Sequence, residues 1–386
     1  MSRPRLLLVG AGHAHLEVLR RCAEERRSKD ATEFDLTVVS PVPRQVYSGM
    51  VPGYLAGTYA LDEISVAVAP LVSRAEGELI EGAASALDPT RRTVRLRSGR
   101  EIEYDLVSFA VGSTTAGIDR EEIAEGAVPV KPLDRVVELS RRLQALKDSD
   151  PAPALARNDE EGTGSRPPKA AVVGGGAAGY EVALALRAAL GAEAGIHLIE
   201  RGPRPLDEYP ERFRKKALAA LARKRIAAII GEGVERVLSD QAVLDSGREI
   251  ASHLTVWLAG AVAWPLFQSA GLPLDERGFL LLDDSLRSVE DRRIFAAGDC
   301  GTMKNYPRTP KAGVYAVRQA PVLWQGLRAA LRGEKPPTYR PQEGFLSILN
   351  LGDGRALMHW KGVVVEGRAV FLLKDWIDRR FLAKYR

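Results

Sequence analysis

Cysteine is nearly absent: Cys22 and Cys300 are the only two in 386 residues. So sparse a supply excludes a disulfide scaffold, a thiolate metal cluster and a CxxC or CxxxxC redox pair. Long apolar runs are missing too. No stretch reaches the ~18 residues that a transmembrane helix needs. The N-terminal run Leu6-Leu7-Leu8-Val9 is too short for a signal-peptide core and meets glycine at once, so it reads as a buried strand. A reducing cytoplasm is the expected compartment. Histidine is scarce, with five residues and no HExxH; there is no GxSxG either, so neither a metal centre nor a serine nucleophile is expected. Neither sign of charge dominates: 55 basic residues oppose 50 acidic ones, for a net charge of +5. With 45% hydrophobic and 27% charged residues, the composition is that of a folded globular chain. No basic motif supports nucleic-acid binding.

What is present is a repeat. Arg5–Val9 reads as a strand, followed by a glycine turn, a helix over 15–27 and a strand over 34–39. The same unit recurs from Ala170, with a helix to about Leu190 and a strand over 196–200. The two turns lie 164 positions apart, from Gly10 to Gly174. Strands alternating with helices predict an α/β chain. Ser98-Gly99-Arg100 predicts a hairpin turn, Ser246-Gly247-Arg248 repeats it, and Asn350-Leu351-Gly352-Asp353-Gly354 predicts a third hairpin near the end. Pro321 should kink or offset its helix.

The second turn is a full GxGxxG, with Gly174, Gly176 and Gly179 directly after a strand. The first glycine permits the tight turn, the second lets a pyrophosphate reach the backbone, and the third lets helix and strand pack closely. Glu200 ends the following strand, 21 residues after Gly179, where a carboxylate can bind both ribose hydroxyls. It favours NADH, while the neighbouring Arg201 and Arg204 keep NADPH open. The first turn, Gly10-Ala11-Gly12-His13-Ala14-His15, has His15 in place of the third glycine and Ser40 in place of the strand-end acid. His13 and His15 suit a phosphate contact or helix-start packing better than a metal. Ile294–Asp299 is an apolar strand ending in Gly298-Asp299, and such an aspartate can hold a flavin ribityl chain.

Two dinucleotide turns, the FAAGD segment at 295–299 and Phe109-Ala110-Val111-Gly112-Ser113 together resemble the two-dinucleotide-domain flavoprotein superfamily of the pyridine nucleotide-disulfide oxidoreductases. The likeness covers about residues 5–330. Without a disulfide-reductase dimer domain, the chain is most similar to type II NADH dehydrogenases and sulfide:quinone reductases. More narrowly, GAGHAHLEVLRR, YSGMVPGYLAG and PKAGVYAVRQAPVL resemble flavoproteins fused to or encoded beside selenide, water dikinase. The resemblance implies two Rossmann-like domains and a small C-terminal α+β cap. An FAD domain would take residues 1–130 and 263–335, an NAD(P)H domain 131–262 with a mobile loop at 147–169, and a hairpin with an amphipathic helix 336–386. FAD would contact Gly10, Gly12, His13, His15, Ser40, Pro41, Tyr47, Ala84, Gly112, Gly298, Asp299 and Gly313. NAD(P)H would contact Gly174, Gly176, Gly179, Glu200, Arg201 and Gly260.

The implied reaction passes hydride from NADH to flavin N5 and electrons onward to a quinone or similar acceptor. Glu181 is the implied proton or nicotinamide-positioning group. Lys311 is implied to stabilise the anionic reduced flavin from the N1/O2 edge. The AQxAxQ quinone motif of type II dehydrogenases is replaced here by Gly313-Val314-Tyr315-Ala316-Val317-Arg318-Gln319, which retains a glutamine only near its end. Two other readings stay open: a flavin-bearing redox sensor or accessory protein of selenium metabolism, and a sulfide:quinone reductase-like enzyme. The last 13 residues carry five basic and two acidic groups among Trp376, Ile377, Phe381, Leu382 and Tyr385. That helix can lie on the inner face of a membrane, or dock on its own domain or on a second copy in a homodimer.

Overall fold

The computed structural model describes residues 3–28, 32–148 and 167–386. Both predicted units are there. Arg5–Val9 is followed by a helix over His13–Glu25 and a strand over Asp35–Ser40; Lys169–Val173 is followed by a helix over Ala177–Leu190 and a strand over Gly195–Glu200. Each unit nucleates a five-stranded, all-parallel sheet. The first runs in the order Ile294–Ala296, Leu106–Phe109, Arg5–Val9, Asp35–Ser40, Glu78–Glu81. The second runs Ala127–Pro129, Leu254–Trp257, Lys169–Val173, Gly195–Glu200, Ile226–Ile230. Strands buried on both faces read as unbroken apolar runs. Leu6, Leu7, Leu8 and Val9 are all buried, as are Ala170 to Val173.

The first sheet borrows its outer strand, Ile294–Ala296, from beyond the second sheet, so the chain leaves the first unit, builds the second and returns. Ala127–Pro129 already belongs to the second sheet, a few residues before the expected boundary at 130. Lys147 and Asp148 close a helix over Arg135–Asp148, and Lys169 opens a strand. The rest of the loop expected at 147–169 lies outside the described residues, apart from Pro167 and Pro168. Pro321 does not break its helix, which runs through from Gly313 to Leu331 and packs along the first helix.

The end of the chain is larger than its sequence suggests. Ser347–Asn350 and Ala356–Trp360 form the predicted hairpin, and a third strand, Val363–Gly367, completes the sheet. The final helix spans Arg368–Ala383. The hairpin leans on the second unit: Gly352 has φ +74°, and a Cβ there would meet the Leu184 carbonyl oxygen at 2.6 Å. The final helix turns its polar groups onto the first unit. Lys374 donates to the Gly49 carbonyl (2.6 Å) and to Asp378 (2.6 Å), Tyr47 donates to Asp378 (3.1 Å) and Tyr59 to Asp375 (2.8 Å). Arg74 holds the Tyr385 carbonyl at 2.9 Å. Its other side leaves Leu372 (65%) and Trp376 (58%) exposed.

Lys374 and Asp378 are both buried, and removing one partner strands the other's charge. Asp378→Ala should cost about 3 kcal/mol of stability, readable as a lowered denaturation midpoint. A change within about 0.5 kcal/mol would mean that the pair is hydrated in solution.

Candidate active site

A cavity of about 510 Å³ opens at the carboxyl ends of the first sheet, a size in the range of small-molecule and cofactor sites. Its floor is the first glycine turn. Gly10 has φ +85°, and Gly12 donates its N–H to the Ala110 carbonyl at 3.1 Å. A Cβ on Gly12 would lie 2.3 Å from that oxygen, so only glycine fits. The N-terminus of the first helix faces the same space and offers its backbone N–H groups to an anion.

Of the residues expected at FAD, Gly10, Gly12, His13, Ser40, Pro41, Ala84, Gly112, Gly298, Asp299 and Gly313 line this cavity. His15 and Tyr47 do not. His15 is buried beneath the turn, with Nδ1 2.5 Å from the Gly10 carbonyl and Nε2 2.9 Å from Ser108 Oγ. It fills the place of the third glycine by bracing the turn against the neighbouring strand. Tyr47 sits behind His13, their ring centroids 5.6 Å apart, and Phe381 of the final helix covers Tyr47 at 4.7 Å. The buried Nε2 of His13 has no protein partner, and burial pushes the imidazole down to about 4, so it is neutral at physiological pH. Ser40 turns its hydroxyl to the Val42 carbonyl at 2.9 Å, which leaves the strand end without a carboxylate.

Lys311 also lies outside the cavity lining. Its ammonium donates to the Gly301 carbonyl (2.6 Å) and Thr302 Oγ1 (2.9 Å) and rests over the Phe279 ring. Burial pushes it down to about 8. The cation that does line the cavity beside Asp299 is Lys131, 2.7 Å from Asp299 Oδ2 and 3.2 Å from Ser113 Oγ. Nothing in the sequence around Val130-Lys131-Pro132 marks it. Gln319 accepts the Gly298 N–H at 2.7 Å and so braces the turn before Asp299.

The second glycine turn repeats the first. Gly174 has φ +114°, and a Cβ there would meet the Leu258 carbonyl oxygen at 2.6 Å. A Cβ on Gly179 would lie 1.8 Å from the Gly174 oxygen, whereas Gly176 faces open space. Glu200 accepts the Gly175 N–H (2.5 Å) and the Gly202 N–H (2.6 Å), which fixes its carboxylate over the turn. Arg201 lies against the backbone of Gly233, and a Cβ on Gly260 would face open space. Both cradles fit a dinucleotide: the glycines let each helix start pack hard on its sheet, Gly176 leaves open space at the second turn, and the helix N-termini offer N–H groups to a phosphate.

Glu181 lies on the helix that starts at the second turn. It accepts the Asn350 N–H at 2.6 Å. Burial pushes its carboxyl up to about 7, against the pull of Lys374 and of that N–H, and Asp378 adds to the rise. Neither cysteine is a plausible nucleophile. Cys22 and Cys300 are buried, and desolvation pushes both thiols up to about 11.

Comparison with known proteins places this geometry. The sequence model described as pyridine nucleotide-disulphide oxidoreductase matches residues 4–320, and the chain belongs to that family. It is 24% identical over 329 residues to a probable NADH dehydrogenase of Dictyostelium discoideum, covering 80% of this chain and 70% of that one. It is 23% identical over 396 residues to a demethylphylloquinone reductase of Synechocystis, covering 100% of this chain and 92% of that one. Among solved structures, the NDH2 of Plasmodium falciparum in complex with NADH superposes with a TM-score of 0.79 at 14% identity, over 98% of this chain and 100% of that one. The sulfide:quinone oxidoreductase of Aquifex aeolicus gives 0.78 at 19% identity, over 99% and 91%. These likenesses establish the two-sheet fold.

The Glu181 carboxyl sets a pH dependence. Its folded value of about 7 lies above the ordinary 4.5, so the folded state holds the proton more tightly. Stability from this group is full below pH 4.5 and is lost as pH rises through 7. The stability difference between wild type and Glu181→Gln should therefore move against the wild type between those values in urea titrations. A pH-independent difference would contradict the assignment.

Proposed function

We propose that this chain is an FAD-dependent NADH dehydrogenase that passes electrons to a quinone without a redox-active disulfide. The pairing of two glycine cradles carries the reading: one opens into the 510 Å³ cavity, and the other is topped by the clamped Glu200 carboxylate. FAD bound in the first would supply a two-electron carrier that accepts hydride at N5. Asp299 would hold its ribityl chain, and the turn at Gly10–Gly12 its pyrophosphate. Glu200 would bind the adenosine ribose hydroxyls of NADH and disfavour a 2′-phosphate. The Dictyostelium and Synechocystis relatives, named for NADH and for a quinone, support the donor and the acceptor class. Glu181, whose carboxyl titrates near neutrality, is suited to proton exchange when a quinone is reduced.

The outer side of the final helix supports a peripheral place on the cytoplasmic face of a membrane. Leu372, Leu373 and Trp376 are exposed there, with Trp360, Val363 and Val365 of the adjoining sheet. Among the described residues no helix is long and apolar enough to cross a membrane. Such a surface presents Trp and Leu to the headgroup region, with Arg380 and Lys384 nearby for anionic lipid.

Two measurements test the proposal. Steady-state NADH oxidation with a soluble quinone should proceed at several turnovers per second. A Cys22→Ser, Cys300→Ser double variant should keep that rate within about twofold, whereas loss of more than tenfold would assign electron transfer to sulfur. Replacing Leu372 and Trp376 together with Asp should abolish co-sedimentation with anionic liposomes while leaving soluble-quinone turnover intact. Undiminished sedimentation would remove this face from the membrane reading.

A further inference from the structure

We propose that Lys131, rather than Lys311, supplies the positive charge that stabilises the reduced cofactor, with Ser113 and Asp299 holding its ammonium in place. The inference rests on the FAD reading of the cavity, but not on NADH or quinone as its partners.

Lys131 follows the strand Ala127–Pro129, so it is carried by the link into the second sheet, yet it lines the cavity of the first. Its neighbours Pro132 and Leu133 line the same wall. The ammonium has two fixed partners, Asp299 Oδ2 at 2.7 Å and Ser113 Oγ at 3.2 Å. Ser113 in turn donates its hydroxyl proton to Asp299 Oδ2 at 3.0 Å, so the three groups form a closed set with consistent donors. Asp299 Oδ1 takes no part in that set and stays available to a ligand hydroxyl. The lysine side chain is 35% exposed and the aspartate 14%, so the pair sits at the cavity wall rather than in the core.

The other cations at or near the cavity are held away from Asp299, Arg44 by a carboxylate that does not line it. Arg44 is paired with Asp62 at 2.9 Å, Arg97 and Arg135 are exposed at the rim, and the Lys311 ammonium is enclosed by Gly301, Thr302 and Phe279. Lys131 is therefore the cation that lines the cavity beside the Gly298-Asp299 turn, where the helix starting at Gly313 also faces the cavity. A flavin that gains two electrons and one proton gains negative charge at its pyrimidine end. A fixed ammonium at that wall favours the reduced form more than the oxidised one.

The test uses purified holoprotein: wild type, Lys131→Met, Lys131→Gln and Lys131→Arg. Two-electron midpoint potentials are read by equilibration with redox dyes under chemical reduction, and sulfite affinity by the bleaching of flavin absorbance. Met and Gln should lower the reduction equilibrium constant about tenfold, equivalent to ~30 mV for a two-electron couple. They should also weaken sulfite binding by tenfold or more. Arg should keep both values close to wild type. Unchanged Met and Gln variants would overturn the proposal, and so would an Arg variant that shifts as far as Met. Loss of FAD from both Met and Gln would make Lys131 a binding group and equally overturn it. Neither readout uses NADH or quinone, so a failed dehydrogenase reading leaves this result standing; a colourless wild type that cannot be reconstituted with FAD would defeat the cavity reading itself.

Discussion

The close approach of backbone to backbone at the two glycine turns is the constraint on which the rest of this molecule depends. At Gly12 a single methyl group would sit 2.3 Å from the Ala110 oxygen, and at Gly179 it would sit 1.8 Å from the Gly174 oxygen. These contacts bring each helix start hard against its sheet, with its N-terminus at the turn. The cavity, its position at the strand ends and the placing of Glu200 all follow from that geometry. Where the first turn lacks its third glycine, His15 takes over the bracing with two hydrogen bonds.

A second layer of organisation comes from the end of the chain. The final helix is pinned by Lys374, Asp375 and Asp378 to Gly49, Tyr59 and Tyr47, and its Phe381 ring covers the Tyr47 and His13 rings behind the cavity. The C-terminal sheet meets the second unit through Glu181 and Asn350. The cap therefore joins both units, while its far side exposes Leu372, Leu373 and Trp376. Burial chiefly pushes the Glu181 carboxyl up to about 7; Lys374 and the Asn350 N–H oppose the rise and Asp378 adds to it.

Much of this was legible in the sequence because apolar strands and glycine turns are local signals. The strand at Arg5–Val9 and the hairpin around Gly352 fall where their residues predict. The misses among the charged groups share one physical cause: a lysine carries no mark of its tertiary partner. Lys311 precedes a helix aimed at the cavity, yet its own ammonium is captured by Gly301 and Thr302. Lys131 sits in an unremarkable Val-Lys-Pro stretch and reaches Asp299 only through a fold that brings positions 168 apart together. The Lys374 and Asp378 pair has the spacing of an ordinary exposed helix salt bridge, and only packing against Tyr47 and Gly49 buries it. The third C-terminal strand, Val363–Gly367, is a short apolar run that passes into the final helix at Gly367 with no intervening loop.

Anaerobic titration of the purified protein with NADH tests whether a flavin held at the first glycine turn takes electrons from NADH and passes them to a quinone. The expected result is a yellow protein holding one FAD per chain whose flavin absorbance bleaches with one equivalent of NADH and returns on addition of a quinone. A bound flavin that NADH leaves oxidised would contradict it.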